Sequence, residues 1–159
     1  MPELQKIASF TVNHEDLEPG VYVSRVDRIG NEAVTTFDLR LTQPNDEPVM
    51  GTGEVHTIEH LGATFLRNDP EWADRVIYFG PMGCQTGFYL LVDSTPKEQV
   101  LEAIEAVLRQ IIAHTGPVFG AARKECGNYR NLNLEAAQLE CRRYLQVLED
   151  AAPITFQYR

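Results

Sequence analysis

The chain has 159 residues, 43% hydrophobic and 23% charged, with a formal net charge of -9. That length supports one domain with its own core, and the acidic balance argues against a nucleic-acid or anionic-membrane partner. No apolar run approaches the ~20 residues that span a bilayer, and Met1-Pro2-Glu3-Leu4-Gln5-Lys6 lacks the charged-then-apolar pattern of a signal peptide, so a cytoplasmic protein is expected.

Residues 1–19 are mixed and end on the turn signal Pro19-Gly20. His14 lies among them and by itself reads as a surface histidine. Val21-Tyr22-Val23-Ser24-Arg25-Val26 is β-branched and aromatic and predicts a strand. Gly30-Asn31 turns the chain into a second strand over Val34 to Leu41. There Phe37, Leu39 and Leu41 share one face, and Thr36, Asp38 and Arg40 the other. By that pattern Arg40 belongs to a solvated strand face. Gln43-Pro44-Asn45-Asp46-Glu47-Pro48 is a loop.

Gly53 to about Asn68 predicts a helix, stopped at Asp69-Pro70. Ile58, Leu61 and Phe65, with Ala63 alongside, form its buried stripe. The helix carries His56-Thr57-Ile58-Glu59-His60. Residues four apart share a helical face, so both imidazoles can reach one metal ion, with Glu59 beside them. A catalytic site of this kind usually has three protein ligands and an open position, so a third ligand is required from elsewhere. The same spacing also suits two hydrogen-bonded histidines with no metal.

Arg75-Val76-Ile77-Tyr78-Phe79 predicts a third strand. It runs into Gly80-Pro81-Met82-Gly83-Cys84-Gln85-Thr86-Gly87, whose glycines let backbone approach a ligand closely and can hold the Cys84 thiol exposed. A buried small hydrophobe is the alternative for a free cysteine. Phe88-Tyr89-Leu90-Leu91-Val92 is a fourth strand. Thr95-Pro96-Lys97-Glu98 has the pattern of a capping box. It opens a helix whose Val100, Leu101, Ile104, Val107, Leu108, Ile111 and Ile112 keep a helical period to His114 and face a core. Cys126, at the end of a short predicted helix and followed by Gly127, is a candidate third ligand. The last helix, about Leu134 to Glu149, turns Leu134, Ala137, Leu145 and Leu148 inward, with Cys141 as packing. The tail Ile154-Thr155-Phe156-Gln157-Tyr158 is either loose or docked on a partner. Three cysteines, odd in number and widely spaced, fit thiol or thiolate roles better than a disulfide framework.

The element order implies an α+β fold: a four-stranded antiparallel sheet with helices packed on it, in a single domain over 1–159. Into it fall Ser9-Phe10…His14, Phe37-Asp38-Leu39-Arg40…Gln43-Pro44-Asn45, His56-Thr57-Ile58-Glu59-His60, Pro81-Met82-Gly83-Cys84-Gln85-Thr86-Gly87 and Cys126-Gly127-Asn128-Tyr129. Together these closely resemble the S-ribosylhomocysteine lyase (LuxS) family, whose members make the autoinducer-2 precursor, from about Ser9 to Leu148. The resemblance implies metal ligands His56, His60 and Cys126, a catalytic Cys84 and a catalytic carboxylate Glu59. It implies that Ser9, His14 and Arg40 line the ribose part of a small-molecule pocket and that Arg67 lies near the homocysteine part. It further implies one divalent metal ion per subunit, iron(II) with zinc or cobalt as substitutes, and a homodimer with active sites at the interface. Two positions depart from the family's pattern. Tyr78 stands where an acidic residue is common six positions before the catalytic cysteine, and Leu132 where a histidine is common six after the metal cysteine. Two other readings of the residues remain: a small metallopeptidase, since H-x-x-E-H also marks inverted zinc peptidases, and a non-catalytic metal-binding interaction domain with Cys84 or Cys141 as a fourth ligand.

Overall fold

The computed structural model describes residues 2–159. β1 (Gly20–Ile29) and β2 (Glu32–Arg40) form an antiparallel hairpin, and β3 (Val76–Pro81) and β4 (Gly87–Val92) form a second. β4 pairs antiparallel with β2, so the sheet order is β1-β2-β4-β3. Three helices follow the expected positions: α1 (Thr52–Asn68), α2 (Lys97–Ala113) and α3 (Leu134–Asp150). The α+β architecture is therefore the one the sequence implies.

The core lies between one sheet face and the helices. Phe37 and Leu39 of β2 and Phe88, Leu90 and Val92 of β4 meet Ile58, Leu61 and Leu66 of α1. Val100, Ile104, Leu108 and Ile111 of α2 and Ala137, Cys141, Tyr144 and Leu148 of α3 complete it. Alternation along β2 and the 3.6-residue period of each helix select these side chains. Cys141 is packing, as expected, and burial pushes its thiol up to about 12. Tyr144, one helical turn on, is also buried and anchors α3 to β1 by donating from its hydroxyl to the Gly20 carbonyl at 2.7 Å.

Four expectations need correction. The capping box at Thr95 does not form: Thr95 donates its hydroxyl to the Asp93 carboxylate, and α2 starts with no side-chain cap. No short helix precedes Cys126. A single turn does, closed by the Glu125 and Cys126 N–H groups on the Ala122 carbonyl. Nor is Arg40 solvated: it is 3% exposed and its neighbour Asp38 1%. The C-terminal tail covers this part of the outer sheet face. Val23 N–H donates to the Phe156 carbonyl at 2.9 Å, Tyr158 stacks on Tyr22 with ring centroids 4.9 Å apart, and the Tyr158 hydroxyl donates to Asp38 Oδ2 at 2.7 Å. The tail thus docks on its own chain.

Candidate active site

α1 presents His56 and His60 on one face, ring centroids 4.6 Å apart and nearly perpendicular. The segment after α2 returns along this face and brings Cys126 to it. His56 Nε2 lies 3.3 Å from Cys126 Sγ, and the donor atoms of His56, His60 and Cys126 all lie within 4.8 Å of one another. Two bonds to threonine hydroxyls of the helix help tie the returning chain to it. Asn131 Nδ2 donates to Thr52 Oγ1 at 3.1 Å, and Asn133 N–H donates to Thr57 Oγ1 at 2.7 Å. Gly53 permits the approach, because a Cβ there would lie 2.8 Å from the Asn131 carbonyl oxygen.

The outer nitrogens of both imidazoles are engaged. His56 Nδ1 donates to Asn131 Oδ1 at 3.1 Å, and His60 Nδ1 donates to the Phe119 carbonyl at 2.8 Å. Both Nδ1 atoms therefore carry the proton, which leaves each Nε2 lone pair free for a ligand role. The His56 Nε2 lone pair faces the Cys126 sulfur, so a cation between them would join two electron-pair donors. Their 3.3 Å separation suits two vertices of a tetrahedral N/S site, whose edge is about 3.5 Å from standard metal–ligand lengths. Asn128 N–H points at the same sulfur at 3.4 Å, a contact that stabilises a thiolate. Gly120, at φ +71°, would place a Cβ 3.1 Å from His60 Nδ1, so the chain can hug the imidazole only as glycine. The group fits a single metal ion. Among the described residues neither Cys84 nor Cys141 joins it, so the ligand set within the chain is three.

A second cluster surrounds Cys84. The cysteine is exposed in the turn between β3 and β4, its Sγ 3.0 Å from Thr86 Oγ1. Arg40 Nη1 donates to that hydroxyl at 2.8 Å, while Nε and Nη2 hold Asp38 in a two-pronged pair at 3.1 and 2.7 Å. Burial works against the Arg40 charge, but the Asp38 carboxylate outweighs it and holds the guanidinium protonated more firmly than usual. Burial, helped by Asp38, pushes the Tyr158 phenol above its ordinary range, so it remains a donor. An open cavity of about 410 Å³ lies on the outer sheet face, lined in part by Ser9, Ser24, Thr36, Tyr78, Tyr89 and Leu91.

The other expected residues are spread around these clusters. Glu59 sits half-buried on α1 beside the histidines and, among the described residues, its carboxylate accepts no hydrogen bond. Ser9 is in a single 3-10 turn, Ala8–Phe10, and lines the cavity. His14 is half-buried with Nδ1 2.9 Å from the Val12 carbonyl. Arg67, at the end of α1, donates to the Val76 and Ile77 carbonyls at 2.6 and 2.8 Å. Tyr78 is 49% exposed at the cavity. Leu132 is half-buried, and Asn131 beside it is the side chain that engages His56.

A family model described as S-Ribosylhomocysteinase (LuxS) matches residues 7–153. The chain belongs to the S-ribosylhomocysteinase (LuxS) family. Among curated relatives, the S-ribosylhomocysteine lyase of Clostridium acetobutylicum is 48% identical over 98% of this chain and 99% of its own. That of Finegoldia magna is 53% identical over 92% and 94%, and that of Borreliella afzelii 44% identical over 98% and 99%.

Sequence reasoning missed Asn131, the Phe119 carbonyl, Thr86, Asp38 and Tyr158. A backbone carbonyl leaves no trace in residue type. Asp38 alternates correctly for an exposed strand face, and only the tail, more than a hundred positions on, reverses that. Thr86 lay inside the quoted Cys84 stretch. Its cue was a hydroxyl two residues after the thiol, in the turn just before the strand that pairs with Arg40.

Proposed function

We propose that the protein is a metal-dependent lyase. It splits S-ribosyl-L-homocysteine into L-homocysteine and 4,5-dihydroxy-2,3-pentanedione, the autoinducer-2 precursor. The observation that carries this reading is the three-ligand His56–His60–Cys126 group in a chain that also presents an exposed thiol on a glycine-rich turn. It is reinforced by relatives named for that reaction over nearly their whole length.

The chemistry follows from the substrate. The thioether sulfur is on C5 of the sugar and leaves only if the C4 proton is acidic, which requires a ketone at C3. The aldehyde at C1 must first migrate to C2 and then to C3. A divalent ion held by His56, His60 and Cys126, iron(II) with zinc or cobalt as substitutes, supplies a Lewis acid for the sugar oxygens as charge develops on them. Cys84 as thiolate takes the C2 proton and returns it to C1, then takes the C3 proton and returns it to C2. It next removes the C4 proton, the C4–C5 double bond forms, and the C5–S bond breaks with its electron pair on sulfur. Glu59 moves protons among the sugar oxygens during each migration, and its protonated form neutralises the departing homocysteine thiolate. The C4 enol then takes a proton at C5 and becomes the diketone. Ser9 and His14 bind the ribose part and Arg67 the homocysteine part, while the buried Arg40 acts on the ribose part of the pocket through Thr86. The active enzyme is a cytoplasmic homodimer whose sites are completed at the interface. Among the described residues no helix is long and apolar enough to cross a membrane, and the outer sheet face retains an open cavity.

Anaerobic incubation of the iron(II)-loaded protein with S-ribosylhomocysteine, following free thiol with a disulfide dye, tests the reading. Steady thiol release, stopped by chelation, is expected. No release from folded, fully metallated protein would overturn it in favour of a non-catalytic metal-binding domain.

A further inference from the structure

The hydrogen bonds around Cys84 have a direction. Arg40 has donors only, so its contact at Thr86 uses the hydroxyl oxygen as acceptor. The Thr86 hydroxyl then has one hydrogen left to place, and among the described residues the acceptor within reach is Cys84 Sγ, 3.0 Å away. Arg40 is itself fixed at its other two nitrogens by Asp38. Asp38 is fixed in turn by the Tyr158 hydroxyl, whose ring is held by stacking on Tyr22. Every group between the sulfur and the tail is buried: Thr86 is 4% exposed, Arg40 3% and Asp38 1%. Water therefore competes little for the bonds of Arg40, and reaches the series only at its two ends, Cys84 and Tyr158. The order Tyr158 to Asp38, Arg40 to Asp38, Arg40 to Thr86 and Thr86 to Cys84 is the one order that satisfies the donors.

We propose that Thr86 and the C-terminal Tyr158 are positioning residues for the Cys84 thiolate: Thr86 delivers its hydroxyl hydrogen to the sulfur, and Tyr158 holds the Asp38–Arg40 pair that orients Thr86. The inference rests on the catalytic role of Cys84 given above. It assigns the tail a task in the chemistry of a residue 74 positions away (158 − 84). A donor aimed at Sγ restricts its rotation and solvates the sulfur when it is charged. The effect should therefore fall on the proton-transfer steps and leave substrate affinity nearly unchanged.

Three variants of the full-length, metal-loaded protein test this. Thr86→Val keeps the shape and removes the hydroxyl, Thr86→Ser keeps the hydroxyl, and Tyr158→Phe keeps the stacked ring and removes the donor. Two readouts are taken: kcat and KM for thiol release, and the rate at which iodoacetamide alkylates the Cys84 peptide, followed by mass spectrometry at pH 7. Thr86→Val should lower kcat and slow alkylation by about 10- to 100-fold, the range for a hydrogen bond to a charged group, with KM within about two-fold. Thr86→Ser should restore both to within roughly three-fold. Tyr158→Phe should slow both by a smaller factor, and the Tyr158→Phe/Thr86→Val double variant should be no slower than Thr86→Val, because the two act on one chain of contacts. Wild-type alkylation in Thr86→Val, equal losses in the Ser and Val variants, or multiplicative losses in the double variant would overturn the proposal. If Thr86→Val does not fold, unchanged alkylation in Tyr158→Phe overturns the tail's part. Alkylation needs no turnover, so a failure of the lyase assay leaves this test standing.

Discussion

Removing the Asp38 carboxylate should be among the most damaging single changes in the protein. Asp38→Ala leaves the Arg40 guanidinium 3% exposed, with Nε and Nη2 deprived of the acceptors now at 3.1 and 2.7 Å. It also removes the acceptor of the Tyr158 hydroxyl. Breaking a buried pair while leaving one charge behind costs about 3–5 kcal/mol, because the remaining ion has lost its compensation and cannot reach water. In a chain of 159 residues that corresponds to a Tm lower by roughly 6–20 °C, at about 2–4 °C per kcal/mol. The double variant Asp38→Leu/Arg40→Met replaces the pair by apolar groups of similar volume and should recover most of the loss. Urea and thermal unfolding followed by circular dichroism, at matched metal and protein concentrations, measure both. A single-variant cost below about 1 kcal/mol, or a double variant as unstable as the single, would mean that this face is open to water and the reasoning about the tail is wrong.

Asn131→Ala removes the acceptor that holds the His56 ring. Metal affinity should fall by about 10- to 100-fold in competition with a chromophoric chelator, and unchanged affinity would show that the ring is oriented by something else. Glu59→Gln should keep metal and fold but lose turnover, since the amide cannot carry a proton; near-normal thiol release would remove Glu59 from the mechanism. Alkaline stability should decline. Burial raises the Cys141 thiol from 9.0 to about 12, so the folded protein keeps a proton that the unfolded chain gives up. This contribution is full below about pH 9 and is lost as pH rises toward 12, by at most about 4 kcal/mol at 1.36 kcal/mol per unit. Tyr144 and Tyr158, both raised mainly by burial, act in the same direction at higher pH. Denaturation from pH 8 to 11.5 should show a shallower fall in Cys141→Val, and identical slopes would refute the assignment.

The parts of the fold set by short periods were legible in the sequence. α1 differs by one residue at its start, and the β1–β2 hairpin follows the Gly30-Asn31 turn, with Gly30 at φ +62°. The β1 strand runs three residues past Val26, because Asp27, Arg28 and Ile29 pair through their backbones with Val34, Ala33 and Glu32, whatever their side chains prefer. Leu66 and Tyr144 joined the core unannounced, since burial of a helix shoulder depends on which neighbour packs there. The metal triad was visible in part, as two histidines at a helical spacing, because one helix fixes their geometry. Cys126 entered as a candidate 66 residues after His60 (126 − 60), and its place depends on the chain's return along α1. Long-range polar contacts were illegible. The alternation of β2 is equally compatible with a wet Arg40 and with one sealed by a distant tyrosine, and no local pattern distinguishes them.

In the proposed reaction the work is divided between a metal held by His56, His60 and Cys126 and a thiol held apart from it at Cys84. The direct test is the Cys84→Ala protein, assayed in parallel for bound metal by elemental analysis and for thiol release from S-ribosylhomocysteine. One metal ion per chain with release reduced by several orders of magnitude is the predicted result. Near-normal release with the metal retained would contradict the assignment of proton transfer to Cys84, and loss of the metal would contradict its separation from the ligand set.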